Sequence, residues 1–188
     1  LYDTIPGLDL TKLESVEYWP NWDATDTGNM NHVKPDVFIR TKETDIIIEA
    51  KRYDLKQQDT GQWRNQVVAY RNEYKEDQKR LIYIALGGIR NTKTESVLHS
   101  DNPVNIYKCK WQKILDEVKD ILYRLETSYD LTNSHTAIYN ILNDIILSFE
   151  MYGYSTGEWL EKFIKPISNS SRSLNMILEQ NNIAEWKN

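Results

Sequence analysis

The sequence predicts a mixed α/β fold, in which a mixed central β-sheet is flanked by helices and followed by an α-helical C-terminal extension. Three observations favour this class. A hairpin-like stretch covers residues 35–51, a helical pattern follows over residues 59–75, and a continuous apolar run occupies residues 81–86. A strand, a helix and a further strand in this order form a β-α-β unit, and an uninterrupted apolar run is typical of a strand that is covered on both faces.

The first elements along the chain are short. Residues 13–19 predict a strand that Pro20 ends, and residues 23–32 read as a polar loop that contains glycine. The hairpin follows. If residues 41–44 form the turn between two antiparallel strands, three pairs of residues lie opposite each other: Arg40 with Asp45, Phe38 with Ile47, and Asp36 with Glu49.

The predicted register brings two carboxylates and a lysine together. Like charges in opposed positions destabilise a sheet, and a divalent cation between Asp36 and Glu49 would remove that repulsion. Lys51 shares their face, because the side chains of a strand alternate between its two faces. An acid pair that binds metal beside a cation suits phosphodiester hydrolysis. A shift of the register by one residue would instead put Asp36 and Glu49 on opposite faces, which would make the hairpin purely structural.

The predicted helix begins near Asp59, and Gln62 three residues later completes a pattern like a capping box. Its apolar stripe contains Trp63, Val67, Tyr70 and Tyr74. Gln66 falls on the same face. A polar amide within an apolar stripe needs a hydrogen-bond partner, so the sequence predicts that Gln66 binds another polar group in the interior.

The later elements complete the core and then become all helical. The apolar run ends at Gly87-Gly88, residues 102–109 predict a strand that contains Cys109, and an amphipathic helix starts near Trp111. A helical stripe covers residues 138–149, Ser155 can cap a short helix, and a last helix begins at about Ser173. The predicted domains are therefore a core over residues 1–126 and a helical extension over residues 127–188, packed on the core.

Two motifs resemble those of a known enzyme superfamily. Pro35-Asp36 followed by Glu49-Ala50-Lys51 resembles the signature of the PD-(D/E)xK nucleases, also called restriction-endonuclease-like. The stretch from Gln66 to Tyr70 matches the Q-x-x-x-Y element of the RecB-type members. The resemblance covers residues 13–126 and implies a restriction-endonuclease-like core. It also implies a metal-dependent nuclease that hydrolyses phosphodiester bonds, in DNA rather than RNA, for DNA processing or defence.

The resemblance also implies a set of site residues. The expected catalytic residues are Asp36, Glu49, Lys51, Gln66 and Tyr70. Asp36 and Glu49, joined by the carbonyl of Ala50, would hold one or two Mg²⁺ ions, for which Mn²⁺ could substitute. Lys51 would either stabilise charge in the transition state or help to deprotonate the attacking water. Gln66 and Tyr70 would line the site and orient Lys51 or the DNA backbone.

The chain departs from the superfamily pattern at one point. Many members add an acidic residue from a helix before the first strand, and the sequence predicts no such helix. Glu14 and Glu17 are possible substitutes. The set of Asp36, Glu49, Lys51 and Gln66 is intact, so catalysis is favoured over the alternative, a catalytically silent nuclease-fold module that binds nucleic acid or protein.

Composition and charge limit the other expectations. A chain of 188 residues with 40% hydrophobic content suits a soluble globular protein, and its single cysteine excludes an internal disulfide. Neither a signal peptide nor a transmembrane run is evident, so the expectation is a cytoplasmic protein without a membrane partner. The net charge of −5 argues against nucleic acid, but residues 31–90 carry twelve Lys or Arg against nine Asp or Glu. A homodimer or a protein partner bound through the C-terminal helices is a further expectation.

Overall fold

The computed structural model describes residues 5, 12–53, 56–99, 102–127 and 133–155. Within them the chain forms eight strands and three helices. The strands are β1 (Leu13–Tyr18), β2 (Trp22–Asp23), β3 (His32–Val33), β4 (Val37–Thr41), β5 (Thr44–Ala50), β6 (Arg80–Leu86), β7 (Glu95–His99) and β8 (Asn102–Cys109). The helices are α1 (Thr60–Glu73), α2 (Trp111–Thr127) and α3 (Asn133–Met151).

Six of these strands form one mixed sheet in the order β1-β4-β5-β6-β8-β7, and β2 pairs with β3 separately. The pairs β1/β4, β4/β5 and β7/β8 are antiparallel, whereas β5/β6 and β6/β8 are parallel. The parallel centre follows from the connection through α1, since a parallel pair needs a crossover between its strands. This sheet and its helices confirm the predicted mixed α/β class.

The hairpin of β4 and β5 has the predicted register. Arg40 lies opposite Asp45 and Phe38 opposite Ile47, and the ladder continues to Val37 opposite Ile48. The turn is closed by Thr41, whose hydroxyl donates to the carbonyl of Thr44 at 2.8 Å and accepts the Thr44 N–H at 3.0 Å. The alternative register, shifted by one residue, is therefore wrong.

Each face of the sheet has its own apolar cluster. On one face Phe38, Ile47 and Tyr83 pack with α1 through Trp63 and Val67, all of them buried. On the other face Ile46, Ile82 and Ile84 pack with Ile114 from the first turn of α2. Glu49 shares the α1 face with Ile47 because alternate residues of a strand point the same way.

Several features were not predicted. The polar sequence of β7 lacks the apolar alternation that marks a strand, and β2 and β3 are too short to give a pattern. The chain divides into two compact units, Leu1–Ile114 and Leu115–Asn188, and this division falls inside α2, whereas the predicted boundary at residue 126 lies near its end.

The predicted helices after Ser155 lie outside the described residues, so a partner surface on them stays a prediction. In the described part of the chain, no helix is both long and apolar enough to cross a membrane.

Candidate active site

Glu49 is the centre of a hydrogen-bonded cluster at the C-terminal end of β5. Its side chain is buried, with 2% of the residue exposed. Oε1 accepts from Lys51 Nζ at 2.5 Å and from Gln62 Nε2 at 2.7 Å, and Oε2 accepts from Gln66 Nε2 at 2.7 Å. A buried carboxylate is costly without such partners. One cation and two amides therefore hold the Glu49 carboxylate in a fixed orientation.

Gln66 occupies the position that the helical stripe predicted, and its amide is bound at both ends. The oxygen Oε1 accepts from the hydroxyl of Tyr83, which directs the amide nitrogen toward Glu49. Burial raises the pKa of Tyr83 well above its ordinary value, and the negative charges of Glu49 and Asp36 raise it further. The phenol therefore stays protonated as a donor. Phe38 and Ile47 are opposed on the α1 face, and Asp36 and Glu49 each lie two residues from one of them, so both carboxylates face the same side of the sheet.

Asp36 immediately precedes β4 and is half-buried. Its Oδ2 accepts from the backbone N–H of Ala50 at 2.8 Å, and its Oδ1 accepts from Trp19 Nε1 at 3.3 Å. The N–H and C=O of one strand residue point toward the same neighbouring strand. An extended Ala50 therefore directs its carbonyl oxygen to the side on which Asp36 lies.

Lys51 is fixed through its backbone, while its side chain is one-quarter exposed. Its N–H donates to Leu86 O at 2.8 Å, and its carbonyl accepts from Trp111 Nε1 at 2.6 Å. Gly87 and Gly88, both in the left-handed region with φ of +66° and +64°, allow this close approach. A Cβ at Gly87 would lie 2.3 Å from Lys51 O, and one at Gly88 would lie 2.7 Å from Lys51 Cβ. These glycines therefore make room for Lys51.

The contacts that two glutamines make with Glu49 were not predicted from the sequence. Gln58 donates to Glu49 O at 3.0 Å and to Gly87 O at 3.2 Å, which ties the ends of β5 and β6 together. Gln62 was expected to complete a capping box with Asp59. Asp59 does cap α1, by accepting the Gly61 N–H at 2.6 Å, but the Gln62 amide donates to Glu49 instead. The four-residue spacing of Gln62 and Gln66 was the available signal for Gln62, since such positions share a helix face, whereas Gln58 precedes the helix.

Tyr70 does not join the other site residues, contrary to expectation. Its hydroxyl donates to Asp45 Oδ2 at 3.0 Å. Asp45 is four strand residues from Glu49, a separation of about 13 Å. Of the expected set, Asp36, Glu49, Ala50, Lys51 and Gln66 lie together, while Tyr70 belongs to the opposite end of β5.

The donor set fits a hard divalent cation. An ionised carboxylate offers about four lone-pair positions. Hydrogen bonds use three of them on Glu49 and two on Asp36, so both groups keep capacity for a ligand. Carboxylate and carbonyl oxygens are the ligands that Mg²⁺ prefers. Among the described residues, however, no three His, Cys, Asp or Glu side chains cluster as a metal site, so the candidate ligands are two carboxylates and one carbonyl.

The two possible substitutes for a third acid lie elsewhere. Glu14 accepts from Lys79 Nζ at 2.7 Å, and Lys79 also lies 3.7 Å from Asp45 at the far end of the sheet. Glu17 lies opposite Phe38, two ladder positions from Asp36, which is about 7 Å along the strand. Neither side chain completes the candidate metal site as it stands.

Comparison with known proteins gives no functional assignment. No family model matches the chain. An uncharacterized protein of Pasteurella multocida (strain Pm70) is 29% identical over 149 residues, which covers 77% of this chain and 50% of the relative. The chain thus spans about half the length of the curated relative that it matches. A solved assembly of Thermococcus gammatolerans McrB AAA+ hexamers with bound McrC aligns with a TM-score of 0.34 and 14% identity, covering 73% of this chain and 30% of the other.

Proposed function

We propose that this protein is a metal-dependent nuclease that hydrolyses phosphodiester bonds in DNA. The observation that supports this most is the pairing of Asp36 and Glu49 on one face beside Lys51. Glu49 is held by Lys51, Gln62 and Gln66, and Asp36 is held by the Ala50 N–H. Lys51 is bound to Glu49, whereas Asp36 accepts from the neutral N–H groups of Ala50 and Trp19, so the cluster has a negative charge to offset. A divalent cation offsets that charge and is itself attracted to phosphate.

In the proposed site, Asp36, Glu49 and the Ala50 carbonyl would hold Mg²⁺. Bound there, the ion would supply Lewis-acid chemistry and lower the pKa of a water molecule. The protein residues supply position and charge. Gln66, fixed by Tyr83, and Gln62 keep the Glu49 carboxylate in place, so little reorganisation is needed when a ligand binds.

Lys51 has the role of the mobile cation in this proposal. Its backbone is fixed by Leu86 and Trp111, whereas one-quarter of its side chain reaches solvent. A lysine ammonium on a flexible stem can move from Glu49 to a phosphate oxygen without backbone movement. There it would stabilise the negative charge that develops as water attacks phosphorus.

A second candidate is a nuclease-fold module that binds DNA without cutting it. One observation favours it: the described residues offer two acidic side chains to a metal rather than three. One-metal chemistry needs no third acid, and the cluster around Glu49 is complete, so we favour catalysis.

A cleavage panel tests the proposal. Linear duplex, supercoiled circular and single-stranded DNA, together with RNA, would be incubated with Mg²⁺, Mn²⁺ or EDTA. We expect cleavage of DNA that requires metal and disappears in Lys51→Ala. The matched control is Lys12→Ala, since Lys12 also pairs with a carboxylate, Glu43 at 3.8 Å, but on the exposed surface. Binding of DNA without cleavage under every condition would support the silent module and refute the nuclease.

A further inference from the structure

Trp19 is an exposed aromatic residue that directly follows the edge strand β1. It is 67% exposed, and its neighbour Tyr18 is 66% exposed. The two rings lie with their centroids 6.3 Å apart and their planes tilted by 51°. A single exposed aromatic residue is ordinary on a protein surface. Two adjacent ones beside a candidate active site form a local aromatic surface.

The conformation of Trp19 is unusual for its residue type. Its φ is +51°, in the left-handed region that bulky side chains rarely adopt. Pro20 follows, and a proline favours extended backbone in the residue before it. Backbone strain of this kind is kept where the surroundings hold it, often at functional sites.

The group that holds Trp19 is the candidate metal ligand Asp36. The Trp19 backbone N–H donates to Asp36 O at 3.1 Å, and its indole Nε1 donates to Asp36 Oδ1 at 3.3 Å. The edge of the indole is thus fixed beside the carboxylate. Most of the ring surface remains in water, where it does not contribute to the apolar core.

We propose that the indole of Trp19 stacks on a nucleobase next to the scissile phosphate, so that the substrate is DNA with an unpaired base at that position. This inference rests on the proposed function and names the substrate class of the same site. Aromatic side chains bind unpaired bases by stacking, whatever the base, because every base has a π-face. A base within a duplex is already stacked on both sides and must leave the helix first. Single strands and frayed ends meet the requirement, and a continuous duplex does not.

A purely structural role for Trp19 makes a different prediction. If the indole serves only to orient Asp36 through its N–H, then removal of that N–H is the damaging change. Trp19→Phe keeps an aromatic face and lacks the donor, whereas Trp19→Ala lacks both. The two substitutions therefore separate stacking from the positioning of Asp36.

The test measures binding of the protein to a short, fluorescently labelled single-stranded DNA by fluorescence anisotropy. EDTA is present to prevent metal-dependent cleavage. We expect Trp19→Ala to weaken binding by roughly tenfold to a hundredfold, and Trp19→Phe to keep most of the affinity. Tyr123→Ala is the matched control, because Tyr123 is 65% exposed and lies on α2. An abasic strand of equal length should bind native protein as weakly as the normal strand binds Trp19→Ala.

Four outcomes would overturn the inference: no binding of the single strand by native protein, equal affinity of Trp19→Ala and Tyr123→Ala, equal loss in Trp19→Phe and Trp19→Ala, or native affinity for the abasic strand. None of these binding measurements requires catalysis, so a failure of the stacking role can be distinguished from a failure of the nuclease activity. Adding Mg²⁺ to the same samples reports cleavage separately. Base-dependent binding without cleavage would leave the stacking role supported and remove only the nuclease activity.

Discussion

Two buried carboxylates lie on one face of β5, Asp45 near its start and Glu49 near its end, and their surroundings differ. Asp45 Oδ1 accepts from Arg40 Nε at 3.3 Å, and Oδ2 accepts from Arg40 Nη2 at 3.2 Å and from Tyr70 OH at 3.0 Å. Lys79 Nζ lies 3.7 Å from Oδ1. Glu49 has one cation, Lys51, and its other two partners are neutral amides.

The difference separates a structural carboxylate from one that can bind a ligand. Asp45 accepts three hydrogen bonds, as Glu49 does, but two cations surround it, Arg40 and Lys79, whose side chains are 20% and 14% exposed. Glu49 has one cation, Lys51, and the neighbouring Asp36 accepts from two neutral N–H groups. The same face of one strand thus carries a closed ion-pair network at one end and an open acidic site at the other.

The largest loss of stability should come from disrupting the ion pairs of Asp45. Asp45→Asn removes the charge that Arg40 and Lys79 surround, and loss of one partner from a buried ion pair costs about 3–5 kcal/mol. Glu49→Gln should cost less, because the released Lys51 side chain can reach water. Urea unfolding of both variants measures the difference. A greater loss of stability in Glu49→Gln than in Asp45→Asn would mean that Glu49 is the structural residue.

A second comparison uses two glycines with positive φ. Gly87 has φ of +66° and would place a Cβ 2.3 Å from Lys51 O, whereas Gly153 has φ of +83°, and within the described residues no atom beyond its chain neighbours lies within 4 Å of such a Cβ. Alanine adds about 1 kcal/mol or more of backbone strain at both positions. At Gly87 the overlap should add roughly 1–3 kcal/mol and displace Lys51. Denaturation and cleavage assays check both effects; equal stability losses, with cleavage intact in Gly87→Ala, would refute the packing role of Gly87.

The third effect concerns the amides around Glu49. Gln66→Met removes the partner of both Tyr83 OH and Glu49 Oε2 in the interior, which should cost about 2 kcal/mol and lower cleavage. Gln62→Met is the control, because Gln62 is only half-buried and water can replace it. We expect a loss below about 1 kcal/mol there. Similar losses at the two positions would contradict the assignment of Gln66 as the principal positioning residue.

The smallest effect should come from Tyr83→Phe, at about 1 kcal/mol near neutral pH. Because the folded-state pKa of Tyr83 is raised, first by burial and then by Glu49 and Asp36, the unfolded chain loses this proton first as pH rises. The contribution of Tyr83 to stability is therefore complete below about pH 10 and declines above it. Above about pH 10 the free energy of unfolding should therefore fall with pH less steeply in Tyr83→Phe than in the native protein, by about 1.4 kcal/mol per pH unit. An unchanged slope in urea titrations at alkaline pH would contradict the raised pKa.

The site was predictable where it depends on local periodicity. The turn of Thr41 to Thr44 sets the register of the hairpin, so Asp36 and Glu49 could be placed on one face from sequence. The helical stripe likewise placed Gln66 in the interior, where it is 1% exposed. Both inferences use short-range geometry, which a few residues determine.

The rest of the site depends on contacts between helices, strands and loops that are far apart in the sequence. Gln66 and Tyr70 are one helical turn apart, about 6 Å along the axis, and both were expected to line the same active site. They lie over strand residues about 13 Å apart and therefore bind different carboxylates. The role of Gln58 depends on its contacts with Glu49 and Gly87, and Trp19 is placed by its hydrogen bonds to Asp36. Neither arrangement leaves a local sequence pattern.

The most direct test of the open acidic site is a thermal melt with and without Mg²⁺ or Mn²⁺. A ligand that binds only the folded state raises its stability by about 2.7 kcal/mol at a concentration of one hundred times Kd. We predict that either ion raises the Tm of the native chain and that Asp36→Asn abolishes the rise. Equal shifts in the native and Asp36→Asn proteins would show that Asp36 does not hold the metal and would contradict the account.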